Sequence, residues 1–234
     1  MTAPLWTCDD LLAACGGALF DPALACGSIS AIEIDSRHCK SGDLFVALVG
    51  DKQDGHDFIT KAANAGAAAC LVSRPNADAP IAQIIVDDPL DALARLGRAG
   101  RNRFAGKMVG ITGSVGKTGS KDMLAHALAA FGKTHASQRS FNNHIGVPIT
   151  LATLAADCDF AVQEMGMNAA GEIAALTALA RPDIAFITRI ASTHGGFFDS
   201  LDDIAKAKAE IFQGLQTGGT AILNIDDPFY DQLA

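Results

Sequence analysis

The 234-residue sequence lacks the features that mark membrane, secreted and disulfide-stapled proteins. No apolar run is long enough to span a bilayer, and the first ten residues do not form the charged and then apolar segments of a secretory signal. The six cysteines are irregularly spaced and include no C-x-x-C pair, which argues against a metal knot or a disulfide framework. We therefore expect a cytoplasmic protein with reduced thiols and no membrane span.

The sequence also lacks the positive charge of a protein that binds nucleic acid. Its formal net charge is -8, and no basic stripe offsets it. Four arginines recur between residues 95 and 103, and their spacing favours a solvated helix face over a binding patch. They are Arg95, Arg98, Arg101 and Arg103. We expect no nucleic-acid partner, so any phosphate ligand needs local charge and backbone amides.

Hydrophobic patterning divides the chain near residues 84–89. Residues 1–85 combine short apolar strands with one helix, which predicts a small α/β domain. Residues 86–234 alternate between strand and helix patterns, which predicts a mostly parallel sheet with helices on both faces. After a helical stretch at 89–103, the predicted elements are strands at 108–112, 160–163, 184–190 and 220–223 and helices at 120–130, 171–179 and 201–215.

The most informative segment is Met108-Val-Gly-Ile-Thr-Gly-Ser-Val-Gly-Lys-Thr118. An apolar strand there ends in a glycine-rich turn, and a helix pattern follows. Glycines at such a turn let successive N–H groups face phosphate oxygens at the helix N-terminus. A lysine adds charge, and a threonine hydroxyl can reach Mg2+. We predict an ATP-binding loop made of Gly113, Ser114, Val115, Gly116, Lys117 and Thr118. Ile111 stands at the position where the G-x-x-x-x-G-K-[ST] motif has its first glycine.

Polar residues also follow two other predicted strands. Glu164 ends one strand, and its oxygens are suited to Mg2+. His194 lies in a glycine-flanked loop after another. Ligands of open α/β sheets bind beyond the carboxyl ends of the strands, so these residues are candidates for the same site. Asn142 and Asn143 suit either a substrate loop or a capped turn.

Together these motifs resemble the Mur ligase family. The resemblance rests on GITGSVGKT at 110–118, FNNHIGVP at 141–148, EMGMNAAGEI at 164–173, His194 and AKAEIF at 207–212. In the first domain, DSR at 35–37, GDLFVA at 42–47 and DGHDF at 54–58 resemble the family's domain for a UDP-sugar. The similarity is strongest to members that join D-alanyl-D-alanine to UDP-N-acetylmuramoyl-tripeptide.

The resemblance implies a reaction and a set of roles. Family members transfer the γ-phosphoryl group of ATP to a peptide carboxylate, and an amine then attacks the acyl phosphate. By analogy Lys117 contacts the β and γ phosphates, while Thr118, Glu164, His194 and Lys208 form the Mg2+ sites. Lys208 matches a lysine that CO2 carbamylates in the family, and we expect Lys117, Lys208 and His194 to be catalytic. Ser36, Arg37, Asn142 and Asn143 are the expected substrate-binding residues.

Three features depart from the family pattern. Gly119 and Ser120 stand where a second threonine is common, and Arg189 stands where asparagine is usual. Family members continue into a third domain, so we expect this chain to be a fragment with little or no turnover on its own. We also expect it to be a monomer. Alternatives are another Mur ligase, a folylpolyglutamate-synthase-like ligase, or a nucleotide-binding module without turnover. A generic P-loop kinase leaves Lys208 and the asparagine loop unexplained.

Overall fold

The computed structural model describes residues 4–24, 26–138, 141–192, 198 and 200–234. It divides into two compact units, residues 1–99 and 100–234, each with its own sheet. The division between these units falls inside the helix Pro89–Arg103, and the predicted domains, residues 1–85 and 86–234, stay a prediction. No helix in the described part of the chain is both long and apolar enough to cross a membrane.

The first unit is a small α/β sheet. In chain order its elements are α1 (Cys8–Cys15), β1 (Ala18–Leu19), β2 (Ala31–Glu33), β3 (Asp43–Val46), a 3-10 helix (Gly55–Phe58), α2 (Ile59–Asn64), β4 (Ala69–Val72) and β5 (Ala82–Ile85). Strands β3, β4 and β5 are short and almost fully buried. The sheet order is β1-β5-β4-β3-β2, in which β1 is antiparallel to β5 and the other pairs are parallel.

The second unit begins within α3 (Pro89–Arg103) and is built on a parallel five-stranded sheet. Its elements are β6 (Lys107–Thr112), α4 (Lys117–Leu128), β7 (Thr134–Ala136), α5 (Gly146–Ala152), β8 (Phe160–Glu164), α6 (Glu172–Ala180), β9 (Ile184–Ile187), α7 (Leu201–Ala209), a 3-10 helix (Glu210–Gly214), β10 (Thr220–Leu223) and α8 (Tyr230–Leu233). The strand order is β10-β9-β6-β8-β7, and all four pairs are parallel.

Side chains of the second sheet alternate between two faces. Val109, Ile111 and Val162 form one cluster, against which α4 packs through Leu124 and Leu128. The other face carries a larger cluster that includes residues of α5, α6 and α7. Successive strand residues point to opposite faces, so apolar runs in β6 and β8 are covered on both sides. The predicted fold class, a mostly parallel sheet with helices on both faces, is confirmed.

The arginines of α3 correct one prediction. Instead of forming a solvated face, three of them donate to main-chain carbonyls. Arg95 bonds Cys15 O at 2.8 Å within the first unit. Arg101 is buried and bonds Ala180 O at 2.6 Å, and Arg103 bonds Leu154 O at 3.0 Å, both within the second unit. Helical periodicity could not show this, because the carbonyl partners are distant in sequence.

Candidate nucleotide-binding site

The phosphate loop lies at the centre of the second sheet. Strand β6 is flanked by β8 on one side and β9 on the other: the chain runs from β6 to the edge strand β7, returns to β8 beside β6, and then crosses to β9 and β10 on the opposite side. In a doubly wound sheet this reversal of strand order leaves a crevice at the carboxyl ends of the central strands. The loop that follows β6 therefore occupies the position where such folds bind ligands.

Two glycines set the shape of the loop. Gly113 has φ 145° and Gly116 has φ 84°, both in the region that side chains disfavour. A Cβ on Gly113 would lie 2.0 Å from Thr188 Oγ1, so the approach of β9 also requires glycine. Helix α4 then begins at Lys117 with no side-chain cap. Its first amide groups are therefore suited to an anion.

Two residues that follow β9 hold the loop through hydrogen bonds. The Ser114 amide donates to Arg189 O at 2.7 Å, and Thr188 Oγ1 donates to Val115 O at 2.7 Å. One amide of the predicted phosphate cradle is therefore used inside the protein. Arg189 contributes to the loop through its backbone carbonyl, which any residue in its place also provides.

Lys117 folds back over its own loop. Its Nζ donates to Gly113 O at 2.8 Å and to Ser114 O at 3.4 Å. Burial lowers the pKa of this amine, and the charge of Glu164 opposes that shift. A triphosphate is a stronger acceptor than a carbonyl, so the amine is placed to exchange its carbonyl partners for phosphate oxygens.

Glu164 joins three segments at the carboxyl end of β8. Its carboxylate is buried and accepts Thr118 Oγ1 at 2.9 Å and Asn142 Nδ2 at 2.8 Å. The backbone adds a further link, because Gly166 N donates to Asn142 O at 2.7 Å. The structure therefore brings together Lys117, Thr118, Glu164 and Asn142, which are far apart in sequence.

Asn143 has a different local role from Asn142. Its side-chain oxygen accepts the amides of Ile145 and Gly146, at 3.1 and 2.9 Å. This is an asparagine turn that leads into α5. The side-chain amide of Asn142 is engaged by Glu164, and the side-chain oxygen of Asn143 is engaged by the chain that leads into α5.

Lys208 is fully buried, although it lies on the same helix as Lys206, whose side chain is 70% exposed. Within the described residues its Nζ has no hydrogen-bond partner. Burial, and then the charge of Lys117, lowers the pKa of Lys208 to about 7, while Glu210 and Glu172 partly oppose this. A neutral amine is therefore readily formed beside the phosphate loop. The sequence pattern of α7 alone predicts an ordinary surface lysine here.

Sequence reasoning missed Glu210, which holds the segment that carries Lys208. The Glu210 carboxylate accepts Gly171 N at 2.6 Å and Ala174 N at 3.0 Å. Gly171 is the N-cap of α6 and has no side chain, so Glu210 supplies the cap from a distant part of the chain. Thr177 Oγ1 adds a bond to Ile211 O at 2.8 Å. A glycine N-cap was the one signal in the sequence that a cap must come from elsewhere.

The remaining predicted residues lie apart or outside the description. Ser36 is buried in the first unit, and the exposed Arg37 pairs with Asp35, which lowers the pKa of that carboxyl. His194 lies outside the described residues. A cap or an ion pair explains Asp35 and Arg37 without a ligand, so their substrate role stays a prediction.

Family profiles match both units. The Mur ligase middle domain matches residues 111–234, and the catalytic domain of the Mur ligase family matches residues 28–101. A UDP-N-acetylmuramoyl-tripeptide–D-alanyl-D-alanine ligase of Synechocystis sp. is 43% identical over 201 residues, which are 85% of this chain and 44% of that protein. The chain spans about half the length of the curated relatives it matches.

Solved structures agree with the sequence comparisons. MurF from Acinetobacter baumannii superimposes with a TM-score of 0.89 at 36% identity, covering 99% of this chain and 50% of that one. A MurF ligase from Thermotoga maritima in complex with ADP gives a TM-score of 0.73 at 32% identity, covering 86% and 47%.

Proposed function

Because the chain belongs to the Mur ligase family, we propose that it carries the nucleotide and sugar-nucleotide sites of an ATP-dependent amide-bond ligase of peptidoglycan synthesis. The reaction adds D-alanyl-D-alanine to UDP-N-acetylmuramoyl-tripeptide. The observation that carries the proposal is the meeting of Thr118, Glu164 and Asn142 beside Lys117, together with the buried Lys208, whose pKa the charge of Lys117 helps to lower.

ATP is the proposed nucleotide and Mg2+ the proposed metal. Thr118 Oγ1 and Glu164 Oε2 lie 2.9 Å apart, and both are the oxygen ligands that Mg2+ prefers. Magnesium usually keeps several waters and binds protein through one or two oxygens, so this pair fits the ion. A bound magnesium ion would neutralise phosphate charge. Lys117 and the first amides of α4 would hold the phosphates in place for transfer.

Lys208 fits a role as a carbamate. A neutral amine attacks CO2 through its lone pair, forms a C–N bond and releases one proton. The product is an anionic oxygen ligand, which converts a repulsive ammonium next to Lys117 into an attractive partner for cations. The lowered pKa of Lys208, about 7, makes the neutral amine available near neutral pH. We propose that Lys208 and His194 complete the metal sites with Thr118 and Glu164.

The first unit is proposed to bind the UDP-sugar end of the substrate through Ser36 and Arg37. Asn142 and Asn143 are the proposed substrate-binding residues of the second unit. We further propose a cytoplasmic, monomeric protein.

Transfer of a phosphoryl group between two anions needs positive charge and oriented donors. Lys117 and the amides of α4 provide them on the nucleotide side.

Calorimetric titrations of the folded chain test the proposal. We expect UDP-N-acetylmuramoyl-tripeptide to bind more tightly than UDP-N-acetylglucosamine, and Mg·ATP to bind with an affinity that Lys117→Ala lowers. Phosphate release with all three substrates present would then show turnover. A folded chain that binds Mg·ATP but neither sugar nucleotide would favour a folylpolyglutamate-synthase-like ligase or a plain nucleotide-binding module instead.

A further inference from the structure

A second lysine of helix α4, Lys121, is buried where a charged side chain needs a reason. It is 3% exposed, and its Nζ donates to Ser137 O at 2.8 Å and lies 3.0 Å from Asp122 Oδ1. Taking an ammonium out of water is costly unless strong partners compensate it. The side chain of Asp122 is 66% exposed, so this ion pair alone does not explain the burial.

The partner of Lys121 leads directly to the candidate metal ligand. Ser137 follows β7 and is itself buried, and its amide donates to Val162 O at 3.1 Å. Its Oγ accepts the backbone amide of Glu164 at 3.4 Å. The chain of contacts therefore runs from Lys121 through Ser137 to the backbone of Glu164. The carboxylate of Glu164 returns to α4 at Thr118.

These contacts form a closed ring through three elements. Thr118 and Lys121 are three residues apart on α4, so they share one face of the helix. One bonds the Glu164 side chain, and the other holds the segment that bonds the Glu164 backbone. The distance between the Thr118 hydroxyl and the Glu164 carboxylate is thus fixed at both ends. A metal site of two protein oxygens requires this kind of support.

We propose that Lys121 is a positioning residue that sets the spacing of Thr118 and Glu164 for a nucleotide-bound divalent cation. It acts through Ser137 and does not touch the nucleotide. This inference rests on the proposed function, because it assumes that the loop binds a nucleotide with its metal.

The test measures the affinity of the full chain for the nucleotide analogue AMPPNP, with Mg2+ and with EDTA. The quantity compared is the affinity with Mg2+ divided by the affinity with EDTA. In Lys121→Met we expect this ratio to fall about 10-fold, as when supporting residues of metal sites are removed. Loss of a positive charge acts in the opposite direction. The free nucleotide is more negative than its magnesium complex, so a charge effect weakens the EDTA value more and raises the ratio.

Three further variants make the test decisive. Lys133→Met removes an exposed lysine of the same unit, which pairs with Asp157, and should leave the ratio unchanged. Ser137→Ala keeps the carbonyl that Lys121 bonds but removes the hydroxyl that Glu164 N bonds, and should lower the ratio about threefold. Lys121→Arg retains a cationic donor and should restore part of the ratio, which also covers the case that Lys121→Met fails to fold.

The outcomes separate this inference from the proposed function. If wild-type chain binds AMPPNP in neither buffer, the proposed function fails first. If it binds and magnesium strengthens binding equally in wild type, Lys121→Met and Ser137→Ala, the positioning role is wrong and Lys121 only stabilises the fold. Equal weakening of both affinities in Lys121→Met leads to the same conclusion.

Discussion

The two units treat their buried polar groups differently. In the first unit, the buried His56 has both ring nitrogens in contact with protein: Nδ1 lies 2.6 Å from Asp54 Oδ1, and Nε2 accepts Ser73 N at 3.0 Å. In the second unit, Lys208 Nζ and Gln163 Oε1 are buried with no hydrogen-bond partner among the described residues. A network satisfied within the protein stabilises a fold, whereas an unsatisfied one indicates a place for a ligand.

The His56 network shows why residue types alone mislead. Asp54, His56 and Ser73 have the composition of a hydrolase triad, and Ser73 Oγ lies 3.2 Å from His56 Nε2. However, the Ser73 amide also donates to that nitrogen. A lone pair that already accepts a backbone proton cannot serve as a base for the serine. The cluster therefore holds the chain around the 3-10 helix and performs no catalysis.

The largest effect should come from Lys117, in the second unit. Lys117→Ala should lower the affinity for Mg·ATP about 100-fold, because it removes a charge-assisted bond to phosphate. Calorimetry measures this loss, and urea unfolding should show little change, since the amine only contacts its own loop. An unchanged affinity would mean that the buried polar groups of the second unit that lack partners serve another ligand.

For His56, in the first unit, we expect the opposite result: a loss of stability without a loss of nucleotide affinity. His56→Ala removes one contact of Asp54 and leaves the Ser73 amide without its acceptor, so it should lower the free energy of unfolding by about 2 kcal/mol. Nucleotide affinity should stay at the wild-type value. If the variant kept full stability but lost binding of the sugar nucleotide, the network would be a ligand site and the comparison would fail.

Lys208 allows a pH test of the same contrast. Its pKa of about 7 in the folded chain is below its ordinary 10.5, so between these values the unfolded chain binds a proton that the folded chain does not. Stability from this residue therefore rises with pH across that window, by at most about 1.4 kcal/mol per pH unit, and is flat below it. Lys208→Met should be more stable than wild type at pH 7.

The measurement is urea unfolding of wild type and Lys208→Met across this range, in buffers purged of CO2. The advantage of the methionine variant should shrink as the pH rises above 7. A constant difference at all pH values would show that the amine is not the titrating group. Adding bicarbonate should stabilise the wild type alone if a carbamate forms.

The smallest change in stability should come from Arg37. Its guanidinium is exposed and pairs with Asp35, and exposed ion pairs add little to stability. Arg37→Met should therefore leave the free energy of unfolding nearly unchanged. Affinity for UDP-N-acetylmuramoyl-tripeptide should still fall about 10-fold if the arginine contacts phosphate. Lys61→Met, on helix α2 of the same unit, is the matched control.

Elements with strong local patterns could be predicted, although some bounds differ: the helix predicted at 120–130 spans Lys117–Leu128, and the strand predicted at 184–190 ends at Ile187. Two elements match closely. Helix α3 begins and ends where its amphipathic pattern does, and β10 matches the predicted strand at 220–223. Short elements such as α1 and β7 were missed. Strand β7 has only three residues, all half-buried, so it shows no alternation for a sequence pattern to reveal.

The sequence by itself predicted the glycine-rich loop, the order of the longer strands and helices in the second unit, and the family. Glycine-rich turns and apolar periodicity act over a few residues, so they are visible along the chain. The tertiary structure decided that Lys208 is buried while Lys206 is exposed, that Glu210 caps a helix 36 residues earlier in the chain, and that Lys121 supports Glu164. These properties arise where distant segments meet, because burial and hydrogen-bond partners depend on neighbours in space.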